Sequence, residues 1–275
     1  MALNANPVEN HRGRESGLIV YPVYSRRSGG LSIGINLFPD KKECPFDCPY
    51  CEVFPFSSNA AFSLPRMEED LCEAIIAAGE QNVVVKDICF SGNGEPSLSL
   101  DFPDALELAA KVRGKLAPSA SIVFITNGTG LLTPEVFKIL RDAAVGETAL
   151  DIWLKLDAGT PEWYEKINRC DIEHEYITAI VKRFTSCAPA TIQTMLCAID
   201  GKAPPPEEAQ AWEKLLLELA EEGNVRKVQL YGKARPAPED PLSSALPVSY
   251  LEDRATSLRS ALTAKGFSVP VEVYP

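Results

Sequence analysis

The sequence predicts an α/β fold: a partial (β/α)6 TIM-like barrel entered through an N-terminal β-hairpin. Three observations predict it. Apolar runs of strand length alternate with amphipathic runs of helix length from Leu31 onward, the pattern of a parallel sheet with right-handed crossovers. Six such strand–helix units fit in the chain. The unusual polar, glycine and cysteine residues gather where strand runs give way to loops, and barrels of this kind carry their function there.

The elements follow in order. Residues 18–24 and 31–38 are β-rich apolar runs joined by Ser25-Arg26-Arg27-Ser28-Gly29-Gly30, a turn composition that predicts a hairpin. Residues 67–81 place Leu71, Ala74, Ile75 and Ala78 at helical spacing. A strand over 83–90 ends in Ser91-Gly92-Asn93-Gly94-Glu95-Pro96, a helix covers 102–116, and a strand over 121–126 ends in Asn127-Gly128. Thr133-Pro134 and Thr160-Pro161 read as a capping residue followed by Pro at the first helical position. They open helices over 134–145 and from 161, and the strand between them, 150–156, ends at Asp157. Helix 173–186, strand 191–199, amphipathic helix 206–222 and strand 225–231 complete the alternation. A helix over 250–265 and a terminal run over 269–274 follow. The Pro-rich stretch 235–247 reads as a long surface loop. The expected organisation is a tail at 1–17, a core barrel at 18–236, and a loop, helix and strand at 237–275 packing on that core as part of one domain.

Composition bounds the function. With 275 residues, 45% hydrophobic and 24% charged, the chain is ordinary for a globular protein with a sizeable core. It contains no apolar run long enough to cross a membrane. The first 16 residues are polar and lack the core of a secretory signal. A net charge of −11 argues against a broad phosphate-binding surface. Eight cysteines without disulfide-like pairing point to a reducing compartment, the cytoplasm.

Three of those cysteines carry the chemistry. Cys44, Cys48 and Cys51 fall within eight residues of a loop punctuated by Pro45 and Pro49. Their thiolates can reach one small metal centre, and three without a nearby fourth suggest a cluster with one open iron. A zinc site prefers four ligands in two separated pairs, and the remaining candidates, His11, His174, Cys72 and Cys89, are not at that spacing. Cys89 and Cys197 sit in strand runs, and Cys72, Cys170 and Cys187 in helical patterns, where cysteine packs as a small hydrophobe. His11 and His174 read as surface residues.

The spacing Cys44-x3-Cys48-x2-Cys51, with Tyr50 before the last cysteine, resembles the signature of the radical S-adenosylmethionine (SAM) superfamily. Gly92-Asn93-Gly94-Glu95-Pro96 is similar to its Gly-Gly-Glu-Pro segment, with Asn93 in place of a glycine, and Thr126-Asn127-Gly128 to its next strand ending. The run 31–39 is similar to a stand-alone oxidoreductase subgroup related to the enzymes that form the wyosine base of transfer RNA. The resemblance implies a [4Fe–4S] cluster on the three cysteines and SAM chelated to its open iron. Reductive cleavage of SAM would give a 5′-deoxyadenosyl radical that abstracts hydrogen from a substrate. It implies SAM contacts from Gly92, Asn93, Gly94, Glu95 and Asn127. Tyr50, Asp157 and Gln193 are further candidates for holding SAM, and Lys155, Asp157 and Arg235, polar residues at strand ends, are candidates for the reaction centre.

Bland readings stand beside these. Glu95 also suits a solvated turn, Asn127-Gly128 is a common turn pair, and Lys155 with Asp157 also suits an ion pair. Gln193 also suits a bond to the neighbouring strand. Tyr231, Lys233 and Arg235 suit either an anionic substrate or a solvated loop. The implied partners are a flavodoxin- or ferredoxin-like electron donor and a substrate that is RNA, a metabolite or a protein. Lys41, Lys42, Arg26 and Arg27 are expected to form one basic dock for the donor. The alternative class is a non-catalytic iron–sulfur electron-transfer module or a zinc-binding module.

Overall fold

A computed structural model describes residues 17–53, 55–235, 237 and 242–275. The expected tail, apart from Gly17, and His11 lie outside the described residues. The chain divides into two compact units, each described by itself.

The first unit comprises residues 1–44, 53–126 and 142–151. Strands β1 (Val20–Ser25) and β2 (Gly30–Ile35) form the expected antiparallel hairpin. Strands β3 (Val85–Phe90) and β4 (Ser121–Thr126) then add in parallel, giving the order β1-β2-β3-β4. Helices α1 (Leu64–Glu80) and α2 (Phe102–Leu116) are the crossovers. The α1 positions chosen for their spacing, Leu71, Ile75 and Ala78, are buried. On the strands Ile33, Ile88 and Ile122 are fully buried as well. Phe124 packs against Phe90 with the rings tilted and against Phe102 edge-on, 5.7 Å between ring centres in each pair. Burying one such side chain contributes about 1.5–3 kcal/mol.

Gly34 has a sharp steric role in this unit. A Cβ there would lie 2.2 Å from the Tyr21 ring on the paired strand. The bare glycine lets that ring lie across β2, and the Tyr21 hydroxyl then shares a 2.7 Å hydrogen bond with Ser91 at the end of β3.

The second unit comprises residues 45–52, 127–141 and 152–275. Helix α3 (Pro134–Val145) opens in this unit and closes in the first. Strands β5 (Asp151–Lys155), β6 (Ala190–Ile199) and β7 (Val225–Gly232) run in parallel. Helices α4 (Pro161–Ile167), α5 (His174–Cys187) and α6 (Pro206–Glu222) connect them. The Thr160 cap is formed as expected, its hydroxyl accepting from Trp163 N at 3.3 Å. Beyond Gly232 come β8 (Ser243–Ala245), α7 (Val248–Ala264) and β9 (Val271–Tyr274), with β9 parallel to β7.

Three expectations need correction. The stretch read as a surface loop contains β8, which pairs antiparallel with the end of β6, Cys197 opposite Ala245. Such a three-residue strand carries no periodicity and is invisible in sequence. His174 is buried rather than superficial, its ring nitrogen 3.1 Å from Ala158 O and its ring 5.3 Å from that of Tyr164. Cys170 lies between α4 and α5 rather than in a helix. The helices over 102–116, 134–145 and 206–222 and the strand over 121–126 have the expected bounds.

Replacing Gly34 by Ala is expected to destabilise the fold by about 1–3 kcal/mol, the usual cost of overpacking. Urea denaturation of Gly34→Ala against the parent chain measures it.

Candidate functional site

In the first unit the glycine motif is bolted to the end of β2. Gly92 adopts φ +118°, a conformation that L side chains rarely take, and a Cβ there would meet Asn36 Oδ1 at 2.8 Å. Asn36 is buried and acts as the bolt. Its Oδ1 accepts from Asn93 N at 3.1 Å and Phe38 N at 3.2 Å, while its Nδ2 donates to Leu18 O at 2.9 Å. Asn93, the residue that departs from the glycine pattern, turns its own amide inward to donate to Phe38 O at 3.2 Å.

Gly94 is explained by the approach of the chain entering the cysteine loop. Glu43 pairs with it as an isolated parallel bridge. Glu43 N donates to Asn93 O at 3.0 Å, and Glu95 N to Glu43 O at 2.8 Å. A Cβ on Gly94 would sit 2.0 Å from Glu43 O. The backbone immediately before Cys44 is therefore fixed against this motif, and only glycine permits the contact. Glu95 is 2% exposed. Its Oε1 accepts from Thr126 Oγ1 at 2.7 Å, from Ser97 N at 3.2 Å and from the Ser97 hydroxyl.

The second unit holds a denser network around Asp157, whose side chain is fully buried. Its Oδ1 accepts from Met195 N on β6 at 2.8 Å. Its Oδ2 accepts from the Tyr50 hydroxyl at 2.5 Å and from Asn168 Nδ2 at 3.0 Å, and lies 3.3 Å from Lys155 Nζ. Lys155 Nζ lies over the rings of Tyr50 and Tyr231, at 4.7 Å and 4.9 Å, and donates to the Tyr231 hydroxyl. Burial works against the Lys155 ammonium. The Asp157 carboxylate, then Tyr231 and Cys48, more than offset it and hold this lysine above its ordinary range. The Tyr50 phenol is pushed well above its ordinary range by burial and by Asp157. The ion-pair reading of Lys155 and Asp157 is thus the geometry observed.

The cysteine segment 45–52 belongs to this unit and is braced at several points. Cys51 N donates to Cys48 O at 2.9 Å, closing the turn, and Asp47 N donates to Asn168 O at 3.0 Å. Asn168 Nδ2 lies 3.6 Å from Cys48 Sγ. Burial pushes the Cys48 thiol up to about 12, partly offset by Lys155. Arg235 donates to Glu52 at 2.6 Å. Lys233 donates to Ser243 O at 2.7 Å and to Ser243 Oγ at 2.6 Å, and that hydroxyl donates to Pro49 O at 2.5 Å. The cations considered for an anionic substrate are therefore engaged in ties around the cysteine segment.

The other expected residues take local roles here. Asn127 Oδ1 accepts from Thr129 N at 2.9 Å and Thr129 Oγ1 at 2.6 Å, the turn geometry of an Asn-Gly pair. Gln193 is fully buried and donates from Nε2 to Gln229 Oε1 at 2.7 Å, its partner in the β6–β7 register. The expected basic dock is not assembled. Arg26 and Arg27 occupy the hairpin turn at the start of β2, whereas Lys41 follows its far end. Six residues at about 3.3 Å each separate the two places. Lys41 instead pairs with Glu43 at 2.6 Å.

Sequence reading missed Asn168, Asn36, Glu52 and Ser243. A single polar residue at a helix end or in a loop gives no periodic signal, and only its partners mark it. Among the described residues no group of three or more His, Cys, Asp or Glu side chains stands arranged to hold a metal ion.

Comparison with known proteins bears on this geometry. The pattern of the radical SAM superfamily matches residues 42–197. A UPF0026 protein of Helicobacter pylori (strain ATCC 700392 / 26695) is 30% identical over 145 residues, 50% of this chain and 44% of that protein. A UPF0026 protein of Synechocystis sp. is 30% identical over 231 residues, 79% of this chain and 76% of its own length. The chain thus spans less than half of the Helicobacter relative. Among solved structures, Streptococcus suis SuiB bound to S-adenosylmethionine superposes with a TM-score of 0.62 at 12% identity, covering 86% of this chain and 49% of SuiB. That likeness shows the fold, an α/β partial parallel barrel. The superfamily pattern spans more than half of the sequence and includes all three loop cysteines and the glycine motif, so the chain belongs to the radical SAM superfamily.

Proposed function

We propose that the chain is a radical SAM enzyme whose Cys44, Cys48 and Cys51 bind a [4Fe–4S] cluster. The observation that carries this reading is the cysteine loop itself, three cysteines within eight residues, on a segment secured by hydrogen bonds. The donor chemistry fits. Thiolates are the usual iron–sulfur ligands, and hydrogen bonds to their sulfurs tune such clusters. Cys48 already receives one N–H donor.

Cys44, Cys48 and Cys51 would hold the cluster, which would supply the low-potential electron for reductive cleavage of SAM and so the hydrogen-abstracting chemistry of the superfamily. The protein's part is aim, charge and exclusion of water. Glu95 is the acceptor for the methionine ammonium, held in one rotamer by Ser97 and Thr126. Gly94 fixes the backbone ahead of Cys44. Tyr50, anchored on Asp157, stiffens the turn between Cys48 and Cys51. Lys155 stays an ammonium and acts as a fixed positive charge rather than a base. The electron comes from a flavodoxin- or ferredoxin-like donor, since SAM cleavage needs the low end of cluster potentials. RNA, a metabolite or a protein is the substrate.

Anaerobic reconstitution with iron and sulfide, followed by SAM and dithionite, tests the proposal. The parent chain is expected to bind about four irons, as a [4Fe–4S] cluster requires, and to release 5′-deoxyadenosine. Single Cys→Ala changes at positions 44, 48 and 51 are expected to abolish both. A parent chain that binds the cluster but releases no 5′-deoxyadenosine supports the electron-transfer module instead.

Lys155→Met leaves the buried Asp157 carboxylate without its cation. It is expected to cost about 3 kcal/mol, the low end for breaking a buried pair, because three neutral donors remain. Thermal and urea unfolding of the apoprotein measure that loss.

A further inference from the structure

We infer that Asn168 is a positioning residue for the Cys48 thiolate, tying that ligand to Asp157 through one carboxamide nitrogen. This rests on the cluster reading above. Asn168 is 2% exposed and caps the C-terminus of α4, its own N–H donating to Tyr164 O at 2.9 Å. Its carbonyl accepts from Asp47 N at 3.0 Å, so backbone as well as side chain grips the cysteine segment. Arg169 follows at φ +48°, an uncommon conformation for a non-glycine residue, and lies 3.8 Å from Asp47. Phe46, buried on the same segment, packs edge-on against Tyr164 of α4 at 5.8 Å between ring centres.

The side-chain orientation follows from chemistry. Nδ2 faces Asp157 Oδ2 at 3.0 Å and Cys48 Sγ at 3.6 Å. Both neighbours are acceptors once the thiol is ionised, and a carboxamide NH2 carries two hydrogens, one for each. The flipped amide would turn an oxygen toward a carboxylate and a sulfur. An N–H directed at a ligating sulfur withdraws electron density from it and favours the reduced cluster. The same nitrogen fixes Asp157, which fixes Tyr50.

The test measures potential and structure rather than turnover. Parent, Asn168→Leu and Asn168→Gln chains are reconstituted, and their cluster midpoints are followed by electron paramagnetic resonance during redox titration. Iron content and thermal melting are measured alongside. Asn168→Leu, which keeps bulk but loses the donor, is expected to shift the midpoint to more negative values at parental iron content. Asn168→Gln, which keeps a carboxamide, is expected to recover part of the shift. An unchanged midpoint in Asn168→Leu overturns the inference and leaves the cluster reading standing. A parent chain that takes up no cluster overturns both. Should Asn168→Leu not fold, the parent chain labelled with side-chain 15N-asparagine decides alone. Pulsed resonance of its reduced cluster is expected to show an asparagine nitrogen coupling, and the lack of one overturns the inference.

Discussion

A carboxylate with no exposed side-chain surface is the constraint on which the second unit depends. Asp157 cannot be solvated by water, so the protein must supply every compensating donor. Four groups do so, and they come from four places: Lys155 on β5, Met195 N on β6, Asn168 at the end of α4, and Tyr50 in the cysteine segment. Satisfying one buried charge thereby fixes the position of the loop that carries Cys48 and Cys51. Losing any one donor leaves a polar group short in a low-dielectric setting, where such networks are least tolerant.

The first unit solves a related problem with backbone rather than charge. Its loop must bring Glu95 to a set position while letting the strand before Cys44 run alongside. Close approach is met by glycine at positions 92 and 94, and the freed polar groups are met by Asn36 and Asn93. Where the familiar pattern has another glycine, Asn93 adds a bond to Phe38 O and so ties the motif to the residues that follow β2. The substitution adds support to the motif from within the unit.

The alternation of strands and helices was legible because each element buries one face, and burial imposes period 2 or 3.6 on the sequence. Leu71, Ile75 and Ala78 in α1, and Trp212, Leu215, Leu216 and Leu219 in α6, are buried as their spacing requires. The cysteine loop, Glu95 and the Lys155–Asp157 pair were legible by residue type, since thiols at close spacing and charges within apolar strands are uncommon. Strand β8 and Asn168 were not. Three residues are too few for a period, and one asparagine after a helix is ordinary until Cys48 and Asp157 stand beside it. Arg235 shows the converse limit: its charge was legible, and its partner Glu52, far away in sequence, was not.

That last case bears on how the site recognises a substrate. Arg235 and Lys233 form ties to Glu52 and Ser243, and Lys155 balances Asp157. An anionic substrate drawing on any of these would have to displace a formed contact and leave a carboxylate or carbonyl short of its donor. A charge already balanced by a neighbour contributes little net attraction to an incoming anion, because the gain is offset by the contact it replaces. Among these residues, then, the strong charges serve mainly to set the protein's own framework. Lys155, kept cationic against burial by Asp157, stands over the Tyr50 ring as part of that framework.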